Sequence, residues 1–327
     1  MKKKVIIDCD PGIDDSLALI LALSLEEIEV VGITIVSGNV KAEQGAKNAS
    51  KVLKLMGRED IKIYIGEQYP LSRELITAED THGEDGLGET NYEEADIKIN
   101  YNGIEFILEE ANKGDLSVIA LGPLTNLAKA IEQDYETFNK IEEVVSMGGS
   151  FKSHGNCSQV AEFNYWVDPH SVEKVFLESK VKFTMVGLDV TRKIVLTPNS
   201  IELINQLDNK IGKFIVDITR FYVDFHWKQE RTLGCVINDP LAVAYFVDKT
   251  LCSGVESYLD IVTEGKAIGQ TLVDIGDFYR KNHNGLVLTE VDNKRFMRMF
   301  LETIFKENKK EINIVLGDTR YSGDRYE

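Results

Sequence analysis

A cluster of four carboxylates lies between two apolar runs near the start of the chain. Residues 5–7 are β-branched and apolar, which predicts a buried strand, and residues 16–23 are mostly apolar, which predicts a buried helix. The acids around the Pro-Gly turn between them are Asp8, Asp10, Asp14 and Asp15. They therefore lie where a strand leads into a helix, at the carboxyl edge of a sheet, and open α/β folds bind their ligands at that edge.

Four neighbouring carboxylates need a compensating partner. Burying one unpaired carboxylate is costly, and adjacent ones repel each other. A cation or several hydroxyl groups would offset this repulsion, and calcium or magnesium is favoured because hard cations prefer oxygen ligands. Helix capping is the alternative interpretation for Asp14 or Asp15, but it does not account for Asp8 and Asp10, which alternate at the strand end.

The composition indicates a chain with a substantial core and no affinity for polyanions. Of the 327 residues, 43% are hydrophobic, and the formal net charge of -17 argues against nucleic acids and anionic membranes as partners. No run approaches the roughly 18 apolar residues that span a bilayer. The cysteines lack the CxxC spacing of zinc and redox sites. We expect a cytoplasmic protein that binds small molecules rather than membranes or nucleic acids.

Strand-like and helix-like segments alternate through the first part of the chain. The strand candidates are residues 5–8, 29–36, 61–65, 117–121, 143–147 and 182–187. The helix candidates between them are residues 42–56, 103–112, 126–132 and 169–177, the last of which has Asp168 and Pro169 at its start. This alternation predicts a Rossmann-like α/β fold, with an open, mostly parallel (mixed) sheet and helices on both faces.

The later part of the chain adds further helices and strands. The predicted elements there are a long helix over about 201–228, a helix after Pro240, β-rich segments at 257–262, 270–275 and 285–289, and a last helix at 293–305. Because no linker rich in proline or serine divides the two parts, we expect a single domain over residues 1–327.

Amides and carboxylates recur where the predicted strands end. They lie in the segments 37–39, 122–126, 147–149, 162–164 and 238–240. Each alone is compatible with a turn or a helix cap, but together they surround the edge that holds the acid cluster, and they suit a polyhydroxylated ligand over a metal ion. The segments 79–88 and 148–160 are poor in apolar residues and are predicted to be loops over this site, with plain solvated turns as the alternative.

The segment DCDPGIDD at residues 8–15 resembles the N-terminal signature of the nucleoside hydrolase family, the inosine/uridine-preferring ribohydrolases. The likeness continues in order along nearly the whole chain, through residues 38–39, 81–83, 122–126, 147–149, 161–164, 186–189 and 238–240. Haloacid-dehalogenase phosphatases also place DxD after a strand. They need Thr or Val two positions after the second Asp, however, where this chain has Gly12.

The resemblance implies calcium-dependent hydrolysis of the N-glycosidic bond of ribonucleosides to ribose and free base, as in nucleoside salvage. The implied calcium ligands are Asp10, Asp15, Asp239 and the backbone carbonyl of Thr125. By the same analogy, Asp10 is the general base, Asn39 orients the attacking water, and the reaction inverts the anomeric carbon through an oxocarbenium-like state. The residues that the resemblance assigns to the ribose hydroxyls are Asp14, Asn156, Glu162 and Asn164. It also implies a homodimer or homotetramer.

The chain departs from the family pattern at Asn238. Many members carry His immediately before the Asp that corresponds to Asp239, and that His is assigned to protonating the leaving base. A side-chain amide does not titrate near neutral pH, although Asn238 could still hydrogen-bond a base. Three alternatives follow: His82 or His226 supplies the proton, the preferred bases leave with little protonation, or the protein binds nucleosides or ribose with weak or no catalysis.

The long predicted helix brings one candidate acid together with aromatic residues. Tyr222, His226 and Gln229 share a helix face, and the family places this region over the nucleobase. We hypothesise that Tyr222, His226 and Trp227 contribute to the base pocket. The alternative is that His226 is an ordinary half-buried helix residue.

Overall fold

The computed structural model describes residues 2–207 and 209–317. The predicted single domain over 1–327 therefore includes residues 1, 208 and 318–327, which lie outside the described residues. The strands are β1 Lys3–Cys9, β2 Ile28–Ile35, β3 Ile63–Ile65, β4 Ile99–Asn100, β5 Leu116–Ala120, β6 Glu143–Met147, β7 Lys182–Val186, β8 Val195–Leu196, β9 Cys235–Val236, β10 Cys252–Ser257, β11 Leu259–Ile261, β12 Thr271–Val273 and β13 Gly285–Val291.

Helices connect most of these strands. They are α1 Ile13–Ser24, α2 Ala42–Met56, α3 Glu79–His82, α4 Gly103–Lys113, α5 Thr125–Gln133, α6 Tyr135–Phe138, α7 Phe163–Val167, α8 Pro169–Glu178, α9 Leu188–Thr191, α10 Pro198–Gln206, α11 Lys210–Glu230, α12 Asp239–Val247, α13 Asn293–Ile304 and α14 Lys309–Gly317. Among the described residues, no helix combines the length and the apolar character needed to cross a membrane.

Within the described part of the chain, nine strands form one sheet in the order β10-β13-β7-β6-β5-β1-β2-β3-β4. Neighbouring strands run parallel except at the edge, where β10 pairs antiparallel with β13. Alternate side chains of β1 enter two cores: Val5 and Ile7 pack with α1, α2 and α11–α13, whereas Ile6 packs with α4, α5 and α8. The predicted α/β class, with a mostly parallel sheet and helices on both faces, is confirmed.

The register of the central strands brings their carboxyl ends to one level. Asp8 in β1 lies opposite Thr34 in β2 and Ala120 in β5, and Ala120 lies opposite Ser146 in β6. The segments that leave these strands therefore emerge side by side at one edge of the sheet. This edge collects the acidic turn after β1 and the polar segments after β2, β5 and β6.

Helix α8 begins as predicted, whereas the long predicted helix is divided in two. Asp168 accepts a hydrogen bond from the Ser171 amide, and Pro169 occupies the first turn, as predicted. The predicted helix over 201–228 is wrong as a single element, because α10 ends at Gln206 and α11 begins at Lys210. Asn209 caps this new start by accepting from the Gly212 amide at 2.7 Å.

Other differences from the predicted elements have local causes. The predicted loop 79–88 begins with the single-turn helix α3, after which Gly83 adopts a φ of 85°. Strands β4, β8 and β9 are two residues long, too short to show a period. Strand β10 is a half-exposed edge strand, and its polar residues do not give the apolar pattern that predicts a strand. Helix α14 follows α13, which was predicted to be the last helix.

Candidate active site

A cavity of about 500 Å³ opens at the carboxyl edge of the sheet. Its lining comes from the ends of the central strands, from the loop 148–160, from α3 and from one face of α11. We call Asp10, Asp15 and Asp239 the carboxylate floor, and we call Tyr222, Phe225 and His226 of α11 the aromatic wall. The volume suits a small-molecule ligand rather than a polymer.

Backbone amides and one asparagine hold two carboxylates of the floor. The Asn39 amide donates to Asp10 Oδ2 at 2.6 Å, and the Asn39 side chain donates to Asp15 Oδ2 at 2.9 Å. The Gly12 amide also donates to Asp15 Oδ2, at 3.0 Å. Asp10 Oδ1 is buried and accepts no hydrogen bond from the described residues. That atom is left free for a ligand.

Glycines leave the space that the Asp10 carboxylate occupies. A Cβ on Gly38 would lie 2.0 Å from Asp10 Oδ2, and one on Gly122 would lie 2.6 Å from Asp10 Oδ1. Both distances are far below van der Waals contact, so any side chain at either position would displace the carboxylate. The turns after β2 and β5 are thus shaped around Asp10.

The floor carries unbalanced negative charge. Burial, followed by repulsion from Asp15, raises the pKa of Asp10 well above its usual range. Burial and repulsion from Asp14 raise the pKa of Asp15 to about 7, and burial together with the neighbouring acids raises the pKa of Asp239 well above its usual range. The backbone amide that donates to Asp10 and the amides of Gly12 and Asp10 that donate to Asp15 oppose these shifts. A bound cation would restore the charged carboxylates.

The donor set fits a hard divalent cation. Asp14, Asp15 and Asp239 each offer an oxygen, and these three atoms lie within 4.8 Å of one another. Asp14, and not the predicted ligand Asp10, completes this group of three, while Asp10 Oδ1 is a buried oxygen without a hydrogen-bond partner among the described residues. Thr125, the remaining predicted ligand, begins α5, and its hydroxyl donates to Asp168 Oδ2 at 2.8 Å. Oxygen donors of this kind are typical of calcium and magnesium sites.

Asp8 lies beneath the floor and does not line the cavity. Its Oδ1 accepts from Thr34 Oγ1 at 2.5 Å and from Asn126 Nδ2 at 2.7 Å. Burial nevertheless raises the pKa of Asp8 to about 7. Asp8 thus joins β1 to β2 and to the first turn of α5, and it supports the floor from below.

The residues predicted to hold ribose line the cavity together. Glu162 caps α7: its Oε1 accepts from the Asn164 amide and its Oε2 accepts from the Gly149 amide, both at 2.8 Å. Asn164 Nδ2 donates to the carbonyl oxygens of Leu121 and Met147, which ties this residue to the ends of β5 and β6. These bonds fix Glu162 and Asn164 at the strand ends.

Asn156 is held more loosely than Glu162 and Asn164. It lies in the loop 148–160 and is exposed, and its Oδ1 accepts from the Phe163 amide at 3.0 Å.

Burial raises the pKa of Glu162 to about 7, although three backbone amides donate hydrogen bonds to its carboxylate and act in the opposite direction. The predicted ribose residues therefore combine fixed groups at strand ends with one group on a loop.

Asp14 joins the floor to the aromatic wall. Its Oδ2 accepts from Tyr222 Oη at 3.2 Å and from Asn238 Nδ2 at 3.0 Å. The Asn238 side-chain amide therefore donates to Asp14, and its Oδ1 is buried without a partner among the described residues. Asn238 holds Asp14 in place, a contact that the sequence analysis did not foresee.

Two imidazoles flank the Tyr222 ring. The His82 ring centroid lies 5.2 Å from that of Tyr222, and the His226 centroid lies 4.4 Å from it in an edge-to-face arrangement. Both histidines are about 5% exposed and line the cavity. Burial lowers the pKa of each ring from its usual value. The two predicted candidate acids are thus both at the site.

The structure does not bring Trp227 to the cavity, so its predicted contribution to the base pocket is not supported. Its side chain is 46% exposed and lies under the Arg231 guanidinium, with 5.4 Å between the guanidinium carbon and the ring centroid. Consecutive helix residues point about 100° apart, so the residue after His226 leaves the wall. Gln229, which shares the face of His226, does line the cavity.

Several cavity residues were not foreseen. They are Ile76, Phe163, Trp166, Arg192 and Phe225. Phe225 stacks on Tyr222, and this contact gives it a place in the aromatic wall. Arg192 connects the loop 148–160 to the end of α11, since its Nη2 donates to the Gly155 carbonyl at 2.9 Å and to Glu230 at 3.2 Å.

Known proteins share this fold and these motifs. A family described as inosine-uridine preferring nucleoside hydrolase matches residues 5–298. The chain belongs to this family. It is 34% identical over 313 residues to the pyrimidine-specific ribonucleoside hydrolase RihA of Photobacterium profundum, covering 93% of this chain and 99% of that protein. It is also 34% identical over 278 residues to uridine nucleosidase 1 of Arabidopsis thaliana, covering 84% and 82% of the two chains.

Solved structures give the same result. The purine-preferring ribonucleoside hydrolase from Gardnerella vaginalis matches with a TM-score of 0.88 and 33% identity, over 94% of this chain and all of that one. A plant nucleoside hydrolase, PpNRh1, matches with a TM-score of 0.87 and 30% identity, over 93% of this chain and 99% of that one. The chain is therefore an enzyme of the ribonucleoside hydrolase family, as the motifs indicated.

Proposed function

We propose that this nucleoside hydrolase uses calcium to cleave the N-glycosidic bond of ribonucleosides with inversion, releasing ribose and free base. The observation that carries the proposal is the buried carboxylate floor, in which Asp239 lines a cavity of about 500 Å³ and Asp10 Oδ1 has no hydrogen-bond partner among the described residues. Within residues 2–207 and 209–317 no positively charged group balances the floor, and a site of this kind favours a cation below a neutral, hydroxyl-rich ligand.

Asp10, Asp15, Asp239 and the Thr125 carbonyl would hold the calcium ion. When bound, the ion supplies a positive centre that binds oxygen atoms and lowers the pKa of water. Removing one of these carboxylates by substitution would weaken the affinity for the ion and would leave the remaining acids repelling one another. The proposed cofactor therefore predicts that stability and activity both depend on added calcium.

The protein side chains would perform the remaining steps. Asp10 would take a proton from the attacking water, because its Oδ1 is a buried carboxylate oxygen without a hydrogen-bond partner among the described residues. Asp14, Glu162 and Asn164 would hold the ribose hydroxyls, because their carboxylate and amide oxygens line the cavity beside the floor. The negative charge beneath the sugar would stabilise the positive charge that develops on the ring as the bond to the base breaks.

A catalytically weak family member that mainly binds nucleosides or ribose is the second candidate, and Asn238 is the observation that favours it. The amide at this position cannot donate a proton to the base. However, Asn238 orients Asp14 through a 3.0 Å hydrogen bond, so the residue supports the ribose site rather than leaving a gap in it. We therefore place the enzyme ahead of the binding protein.

Ribose release from single nucleosides tests the proposal. Inosine, adenosine, guanosine, uridine and cytidine would each be incubated with the wild-type enzyme after chelation, and calcium or magnesium would then be restored. We expect calcium to restore equal amounts of ribose and base, with a preference among the bases that the panel reveals. Asp10→Asn should reduce release by more than about 10³-fold, within the range for a lost general base.

The exposed residue Asp224, which pairs with Arg220 on α11, provides the matched control. Asp224→Asn should retain wild-type rates. Binding of nucleosides without ribose release, or full activity in the presence of a chelator, would contradict the proposed function.

A further inference from the structure

The two histidines beside Tyr222 use the same ring atom, Nδ1, in opposite hydrogen-bonding roles. His82 Nδ1 accepts the backbone N–H of Ile13 at 3.0 Å. His226 Nδ1 lies 2.9 Å from the Tyr222 carbonyl oxygen, which can only accept, so this Nδ1 carries a proton and donates. The same ring atom is thus an acceptor in one histidine and a donor in the other. This difference decides which ring can carry a second proton.

His82 is held in its neutral form. A proton on Nδ1 would point at the Ile13 N–H and break a buried hydrogen bond at the first turn of α1. The N-terminus of this twelve-residue helix also carries a partial positive charge, which disfavours an imidazolium. His82 can offer only an Nε2–H that it keeps.

His226 keeps its anchor in both protonation states. The Nδ1–H bond to the Tyr222 carbonyl persists whether or not Nε2 is protonated, and Nε2 has no hydrogen bond within the described residues. Because the two nitrogens lie on opposite sides of the ring and the residue lines the cavity, Nε2 is the atom available to a ligand. His226 can therefore gain and lose a proton without moving.

Asn238 cannot perform this function, because its side chain does not titrate and its Nδ2 is engaged by Asp14. We propose that His226 Nε2 donates the proton that the leaving base takes up and that His82 is a neutral positioning residue. This inference rests on the proposed hydrolase function and assigns one of its steps.

The step balances with the water and the nucleoside alone. The bond from C1′ to the base nitrogen breaks, its electron pair goes to the base, and the Nε2 proton neutralises the base at a ring nitrogen or a carbonyl oxygen. The water oxygen bonds to C1′, and Asp10 takes the water proton. Solvent exchange then returns a proton to His226 and removes one from Asp10, so the products are ribose and neutral base.

The charged and titratable groups around His226 set the pH at which it is protonated. Asp14 on α1 and Glu230 on α11 favour the imidazolium, whereas Arg192 after α9 and His82 on α3 oppose a second positive charge. Burial is the largest influence and places the pKa of His226 below its usual value. Protonation of the base by His226 should therefore weaken as the pH rises through a pKa that lies below the usual histidine value.

A leaving group that needs no proton separates the acid from the rest of the site. We would compare the best nucleoside of the panel with p-nitrophenyl β-D-ribofuranoside, whose nitrophenolate leaves as an anion. His226→Gln should lower kcat/KM for the nucleoside by about 10²- to 10⁴-fold, with little change for the nitrophenyl riboside. Its remaining nucleoside activity should no longer fall with rising pH on the alkaline side.

His82→Gln is the matched control, since it replaces the other cavity imidazole. His82→Gln should lower kcat/KM for both substrates by a similar factor. Its kcat/KM for the nucleoside should still fall as the pH rises. In the wild-type enzyme that fall should appear with the nucleoside and be absent with the nitrophenyl riboside, a comparison that needs no variant. The assignment would be overturned if His226→Gln lowered kcat/KM equally for both substrates. It would also be overturned if His82→Gln lowered kcat/KM for the nucleoside alone. A wild-type enzyme inactive on both substrates would overturn the proposed function as well.

Discussion

The carboxylate floor, through Asp239, and the aromatic wall meet at the same cavity, yet different kinds of structure hold them. The floor carboxylates are at most 3% exposed, and they come from a strand end and two helix starts whose positions follow from the register of the parallel sheet. The wall comes from a single face of α11, and it includes the half-buried Phe225. We therefore expect a substitution that moves a floor carboxylate to disturb the backbone at the sheet edge. A substitution in the wall should be accommodated by movement of neighbouring side chains.

Gly38→Ala should show how little the floor tolerates, and it has the largest expected effect. The new Cβ would lie 2.0 Å from Asp10 Oδ2 and 2.8 Å from Pro123 Cδ, so the carboxylate has to move. A displacement of about 1 Å at a reacting group can cost about 100-fold in rate, and we expect ribose release to fall by about that factor. Steady-state kinetics on the preferred nucleoside would measure it.

The control for this substitution is Gly317→Ala at the end of α14, where a Cβ would meet no atom of the described residues within 4 Å. This variant should keep wild-type kinetics. Near wild-type rates in Gly38→Ala would mean that the floor adapts as readily as the wall, and the contrast between the two regions would fail.

The charge of the floor region should make the calcium-free protein more stable in mild acid. Burial raises the pKa of Asp8 from 3.8 to about 7, so between these pH values the folded state binds more protons than the unfolded state. Stability then falls as the pH rises through this window and is lowest above it. In the presence of a chelator, we expect the melting temperature to fall by several degrees from pH 5 to pH 8.

Two comparisons sharpen this prediction about stability. Asp8→Asn removes one titrating group and should reduce the slope, whereas the exposed Asp224→Asn should leave it unchanged. Calcium should also reduce the slope, because a cation favours the ionised carboxylates. A melting temperature that rises from pH 5 to pH 8 in chelator would show that the buried acids are already ionised and balanced in the free protein.

The sequence was informative about the floor and much less so about the wall. The acidic turn and the polar strand ends were identified because apolar strands and helices alternate clearly, and parallel strands bring their carboxyl ends together. The wall depends on which face of α11 meets the cavity. Phe163, Trp166 and Arg192 line the same cavity through contacts between segments distant in sequence, which no local periodicity indicates. The capping role of Asn209 was missed for a similar reason, because the apolar pattern continued across it.

Trp227 and Phe225 provide the finest test of the wall and the smallest expected effect. Phe225 lines the cavity and stacks on Tyr222 with ring centroids 6.5 Å apart, whereas Trp227 is 46% exposed outside it. Aromatic contacts of this kind contribute about 0.5–1.5 kcal/mol, so Phe225→Ala should raise KM by about two- to tenfold with little change in kcat. Trp227→Ala removes the larger ring and should leave both constants within about twofold, since it touches neither substrate nor floor. A larger effect at Trp227 than at Phe225 would mean that α11 rotates when substrate binds, and the wall would then have to be redefined around the other face of that helix.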